Sequence, residues 1–110
     1  MSELSNKQQQ ILEYMKNHIV YLDGGMGTLL QAAGLAPGEQ PERWNLSHPA
    51  VVRGIHRAYL EAGSRIITAN TFGANPWHYT DGELEEIIPA AVQNVRAAIA
   101  QTGVTDAYVA

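Results

Sequence analysis

The sequence predicts an α/β fold in which parallel strands alternate with helices. Three observations carry this. Helix-like and strand-like patterns alternate along the 110 residues. Two short apolar runs, Ile19-Val20-Tyr21-Leu22 and Ile66-Ile67, each open into a polar loop containing glycine. The sequence stops at Tyr108-Val109-Ala110, inside what reads as a third strand. Alternation of this kind implies parallel strands joined by right-handed crossovers. Ligands in such folds bind at the C-terminal ends of the strands. A whole (β/α)8 barrel takes about 250 residues. The expectation is therefore the opening piece of a longer enzyme, with its chemistry incomplete.

Each element has its own signal. Residues 5–17 are polar except at Ile11, Leu12 and Met15, a spacing that suits a thinly amphipathic helix covering an edge. Ile19 to Leu22 reads as a strand ended by Asp-Gly-Gly. Thr28 to Ala33 reads as a short helix stopped by Gly34. Residues 35–49, with Pro37, Gly38, Pro41 and Pro49, read as an ordered loop, and a connection of that length is usually functional. Ser47 is an N-cap candidate, with Pro49 in the first turn of the next helix. Val51, Ile55, Ala58, Tyr59 and Ala62 give that helix an apolar face. Arg53, Arg57 and Glu61 share the opposite face, and Gly63 suits its end. Arg65 to Thr68 is the second strand. Thr80-Asp81-Gly82-Glu83 has capping-box spacing. The helix after it carries Leu84, Ile87, Ile88, Ala91, Val95, Ala98 and Ile99 on one face. Pro89 within it predicts a kink or a later start. Gly103 ends the helix, and Asp106 to Ala110 begins the third strand. Residues 1–18 read as an N-terminal helical extension and 19–110 as the α/β portion.

Composition removes several function classes. The chain is 45% apolar and 16% charged, as globular proteins are. Net charge is −4 with no basic cluster, which argues against nucleic acid or an anionic membrane as partner. No apolar run approaches the ~20 residues of a membrane span, and the N-terminus lacks a signal-peptide design, so a cytoplasmic protein is expected. There is no cysteine, hence no disulfide and no thiolate metal site within these residues. The histidines, His18, His48, His56 and His78, have no zinc-type partner at short spacing. His56 reads as a surface residue, and His48 as fixing the start of its helix. Trp44 reads as an anchor that orders the proline-rich loop, and Tyr59 as core. Trp77 suits a pocket wall or a subunit contact.

The polar strand ends carry the candidate chemistry. Asp23, directly after a strand, could accept charge-assisted hydrogen bonds from an ammonium group. Gly24 and Gly25 expose backbone N–H groups that could approach a carboxylate. Together they make an amino-acid-binding corner. The competing reading is a plain turn between strand and helix. Asn70, Thr71 and Asn75 could line the same pocket with Phe72 as an apolar wall, or could simply cap a turn. The glycines do not match a dinucleotide fingerprint, and no lysine follows as in a P-loop.

Four blocks in order carry a family resemblance. They are Asp23-Gly24-Gly25-Met26-Gly27-Thr28, Asn45-Leu46-Ser47-His48-Pro49, His56 through Gly63, and Ile66 through Asn75. This arrangement resembles the homocysteine S-methyltransferase family, which includes the homocysteine-binding module of cobalamin-dependent methionine synthase and betaine–homocysteine methyltransferase. The resemblance implies a (β/α)8 TIM barrel, of which residues 19–110 would be the N-terminal β/α units, truncated, and transfer of a methyl group to zinc-bound homocysteine thiolate, giving methionine. It implies L-homocysteine as substrate, zinc held by three cysteine thiolates, and a methyl donor system that could involve cobalamin or methylfolate. By matching position, Asp23 would hold the substrate ammonium, and Gly24 and Gly25 its carboxylate, with Asn70 and Thr71 at the adjacent strand end. Gly73 stands where the betaine-using branch carries a tyrosine, which tilts against betaine. With no cysteine present, the expectation is a chain that does not transfer methyl groups by itself. A non-catalytic amino-acid-binding or assembly module is the alternative. Open sheet edges predict a homo-oligomer.

Overall fold

The computed structural model describes residues 6–110. Its elements are α1 (Asn6–Met15), α2 (Gly27–Ala32), α3 (Trp44–Ser47), α4 (Pro49–Glu61), β1 (Ile66–Ile67), α5 (Asp81–Thr102) and β2 (Tyr108–Val109). A 3-10 turn at Pro41–Arg43 precedes α3. The expected first helix is therefore present from Asn6. Its expected start at residue 5, with the rest of residues 1–5 of the extension, lies outside the described residues.

The sheet is parallel, as alternation requires. β1 pairs with β2 in the register Ile66↔Tyr108 and Ile67↔Val109. The expected strand Ile19–Leu22 contracts to one parallel bridge, Leu22↔Ile66. Arg65 N–H donates to Tyr21 O and Asp23 N–H to Ile66 O, which ties the segment only at its end. Ile19 is 78% exposed, so packing does not flatten the start of the run against the sheet.

Two apolar clusters hold the helices in place. Leu60, Ile67, Ala69, Ala91, Val95 and Ala98 join α4, the sheet and α5. Leu30, Leu35, Trp44 and Val52 join α2, α3 and α4. On α4 the buried residues are Val52, His56 and Leu60, and Ala58 and Ala62 are exposed. The true face is thus displaced from the expected one by about one residue, or roughly 100° of helix rotation. The difference has a physical source. His56 occupies the central position of the true stripe and reads as polar, so the i, i+4 row through it looks broken.

Local chemistry fixes the ends of α5. Glu83 N–H donates to Thr80 Oγ1, and Thr80 N–H donates to Glu83 Oε2. This is the expected capping box. Gly103 closes the helix at φ 73°, a left-handed conformation that favours glycine. The helix runs unbroken through Pro89 rather than starting there. Pro89 and Glu85 both lie on the exposed face, where water can serve the carbonyl that proline leaves without a donor. The expected loop 35–49 is more ordered than anticipated, since it contains the 3-10 turn and α3. The N-cap of α4 is His48, not Ser47. His48 stacks on Trp44 with ring centroids 4.0 Å apart and contacts Ser47 Oγ through Nδ1 at 2.7 Å.

Candidate functional site

At the C-terminal end of β1, a cavity of about 380 Å³ opens between the loop after Leu22, the turn before α3 and the loop after β1. Asp23, Gly24, Glu42, Asn70, Thr71 and Phe72 are among its lining residues. No Lys, Arg or His of the described residues lines it. A larger cavity of about 570 Å³ lies against α1, α5 and the strands, lined mostly by apolar residues such as Ile11, Ile99 and Val109. The smaller one is where polar groups from separate segments converge, and it is at the strand end where parallel α/β folds bind ligands.

Asp23 is fixed by β1. Thr68 N–H donates to Asp23 Oδ2 at 2.9 Å, and Thr68 Oγ1 donates to Oδ1 at 3.0 Å. A carboxylate can accept roughly four hydrogen bonds, so two directions remain for a ligand. Gly24 and Gly25 follow at the rim, and neither N–H donates within the described residues. Tyr59, from α4, donates its hydroxyl to Gly25 O at 2.7 Å. A Cβ on Gly24 would meet that hydroxyl at 3.0 Å, so the absence of a side chain is what lets Tyr59 hold the turn.

Asn70 is buried and structural on one side. Its Nδ2 donates to Pro41 O at 2.9 Å, and its own carbonyl accepts from Asn45 Nδ2 at 2.8 Å. Its Oδ1 accepts no bond within the described residues. Thr71 N–H closes a tight turn onto Ala69 O at 2.8 Å. Asn75 caps its own turn, accepting from Trp77 N–H at 3.0 Å. Phe72 and Trp77 are both fully or almost fully exposed. Of the five sequence-predicted site residues, the cavity gathers Asp23, Gly24, Asn70 and Thr71. Gly25 lies beside it, where a Cβ would meet Thr28 Oγ1 at 3.4 Å.

Two contributors escape a reading of the sequence. Thr68 reads only as a strand residue, although alternation from Ile66 places both on one face. Glu42 is the larger omission. It is only 6% exposed, and its carboxylate accepts from Gly73 N–H (3.1 Å) and from the Tyr79 hydroxyl (2.8 Å). Burial first, then the bond to Glu42, raises the Tyr79 hydroxyl well above the ordinary tyrosine range, so it remains a donor. No periodic pattern flags Glu42, because it sits in a 3-10 turn between a proline and an arginine.

His56 corrects a second expectation. It is fully buried, and neither ring nitrogen has a hydrogen-bond partner within the described residues. Desolvation lowers its pKa to about 4, opposed by the negative charge of Asp23. It is therefore neutral at pH 7.

The residues do not fit a thiolate-held zinc. The sequence has no cysteine, and no group of three or more His, Asp or Glu side chains among the described residues could hold a metal. Among the described residues, no helix is long and apolar enough to cross a membrane.

The chain is similar in sequence and in fold to known proteins. The chain is 34% identical over 84 residues to methionine synthase from Mycobacterium tuberculosis, and equally so to that from Mycobacterium leprae. Each match covers 71% of this chain and 7% of the relative's length. The fold matches part of the homocysteine methyltransferase MmuM from Escherichia coli. The oxidized form superposes with a TM-score of 0.76 at 23% identity, over 96% of this chain and 40% of that one. The metallated form gives 0.74 at 21% identity. The family model described as homocysteine S-methyltransferase matches residues 20–110. On that match, spanning most of its length, the chain belongs to the homocysteine S-methyltransferase family.

Proposed function

We propose that the cavity at the end of β1 is the amino-acid-binding corner of a homocysteine S-methyltransferase, within the first β/α units of a (β/α)8 barrel. In this reading Asp23 receives the ammonium of L-homocysteine. The N–H groups of Gly24 and Gly25 receive its carboxylate. Asn70 and Thr71 form the facing wall, with Asn70 Oδ1 as a second acceptor for the ammonium. The observation that supports it most is the clamped Asp23 carboxylate. Thr68 orients it at the cavity with two bonding directions to spare, so little ordering is needed when a ligand arrives. Methyl transfer by a thiolate-held zinc requires cysteines that these residues do not include. The activity proposed for this chain is binding of the amino acid.

Calorimetric titration with reduced L-homocysteine tests this, with the deamino analogue 4-mercaptobutanoate as control. Wild type binds homocysteine and not the analogue. Asp23→Asn weakens binding roughly ten- to a hundredfold, the range for a hydrogen bond to a charged group. Equal affinity in wild type and Asp23→Asn, or no binding by wild type at millimolar ligand, rejects the assignment.

A further inference from the structure

We propose that Glu42 is a specificity-determining residue of this cavity, which excludes amino acids with an anionic side chain. The inference rests on the amino-acid-binding reading of the cavity and adds the class of side chain it accepts.

The argument is one of charge. The cavity wall carries two carboxylates, Asp23 and Glu42, and no cationic side chain among the described residues. A bound amino acid brings one ammonium, which Asp23 meets, and one carboxylate, which backbone N–H groups meet. Glu42 then remains as a negative charge without a cationic partner on the wall. Its own hydrogen bonds come from neutral donors, Gly73 N–H and the Tyr79 hydroxyl. Those bonds hold the carboxylate in place and bring no positive charge to it. The nearest cation in sequence, Arg43, is directed elsewhere. It lies over the Tyr79 ring, 5.0 Å from the centroid, and pairs with Glu83 at 3.2 Å.

Burial makes that charge felt. Glu42 is 6% exposed, so water screens it poorly from anything sharing a 380 Å³ space. A neutral side chain meets no penalty. An anionic one meets a like charge that cannot turn away, because both carboxylate oxygens are tethered. Gly73 is part of the device. A Cβ there would lie 2.9 Å from Glu42 Oε1, so only glycine lets the carboxylate seat against the backbone.

Sequence gives no hint of this role, because the turn Pro41-Glu42-Arg43 carries one charge of each sign within a proline-rich ordered loop. The structure separates the two charges, burying Glu42 and sending Arg43 to the surface.

The test is an isosteric ligand pair, L-glutamine and L-glutamate, titrated calorimetrically into the 110-residue chain alongside reduced L-homocysteine. Wild type is expected to prefer glutamine over glutamate by on the order of tenfold or more, the factor given by about 1.4 kcal/mol of repulsion. Glu42→Gln is expected to shrink that ratio by about tenfold while homocysteine still binds. Tyr79→Phe serves as the control. It loosens the same loop but keeps the charge, so it lowers the melting temperature and leaves the ratio near wild type. A wild-type ratio near one overturns the proposal even if Glu42→Gln does not fold. An unchanged ratio in a folded Glu42→Gln overturns it as well, and so does a Tyr79→Phe ratio that falls as far. Failure of wild type to bind any of the three amino acids instead rejects the binding corner itself, and the selectivity with it.

Discussion

His56 makes acid stability a direct readout of the core. The perturbation is His56→Leu, a side chain of similar bulk with no polar atoms. In the native protein His56 is fully buried with both ring nitrogens unpartnered among the described residues, and its pKa is lowered to about 4 from 6.5. The unfolded chain therefore takes up a proton on this ring at higher pH than the folded one. The stability tied to the neutral ring is complete above pH 6.5 and is lost as pH falls towards 4. Between pH 7.5 and 5 the linkage removes about 2 kcal/mol. Well below pH 4 the full difference reaches about 3 kcal/mol. The assay is urea unfolding of wild type and His56→Leu at pH 7.5 and pH 5. Other acidic groups titrate in both proteins, so the difference between the two pH dependences isolates His56. Wild type should lose about 2 kcal/mol more than the variant, roughly 10 °C in melting temperature for a domain of this size. At pH 7.5 the variant should be as stable as wild type or more so by about 1 kcal/mol, because unsatisfied buried polar atoms are removed. Parallel pH dependences would refute the reasoning, since His56 would then take up its proton in the folded protein without cost.

Two further outcomes follow from local geometry. Thr80→Ala removes one half of the capping box on α5 and should cost about 1 kcal/mol by urea unfolding, with the midpoint falling and the slope unchanged. Gly24→Ala places a methyl 3.0 Å from the Tyr59 hydroxyl, so the Tyr59–Gly25 bond must lengthen. A loss of about 0.5–1.5 kcal/mol is expected, together with weaker homocysteine binding, read from melting and titration of the same sample.

The elements written by local rules are legible in the sequence. The capping box at Thr80 and Glu83, the left-handed glycines at 63 and 103, and the parallel relation of the strands all come from short-range chemistry or alternation. The rest depends on tertiary contacts that pattern does not encode. The stripe Val52–His56–Leu60 escapes pattern because a buried histidine without partners among the described residues breaks the usual link between polarity and exposure. The segment Ile19–Leu22 has the residues of a strand, yet it is paired only at its end. Of the cavity's lining residues, Asp23, Gly24, Asn70 and Thr71 are readable because they follow short apolar runs. Glu42 is not, because its burial is set by Gly73 and Tyr79, more than 30 residues away.

A sheet of two two-residue strands does not by itself fix the geometry of the cavity, and here the positioning falls to a chain of buried and part-buried polar bonds. Arg53 Nε on α4 donates to Asn94 Oδ1 on α5 at 2.9 Å, and Asn94 Nδ2 donates to Asn45 O on α3 at 3.1 Å. Asn45 Nδ2 in turn donates to Asn70 O and to Glu42 O, and Asn70 Nδ2 reaches Pro41 O. Apolar contact brings helices together without direction, since burial depends on area alone. Hydrogen bonds to carbonyls have preferred angles and are costly to leave unmade when buried. The two apolar clusters therefore set which elements are neighbours, and the asparagine chain sets where the turn at Pro41–Arg43 sits relative to the end of β1. That is the distance across which Asp23 and Glu42 face one cavity. Asn70 thus holds the cavity wall through its Nδ2 and its carbonyl, while its Oδ1 accepts no bond among the described residues.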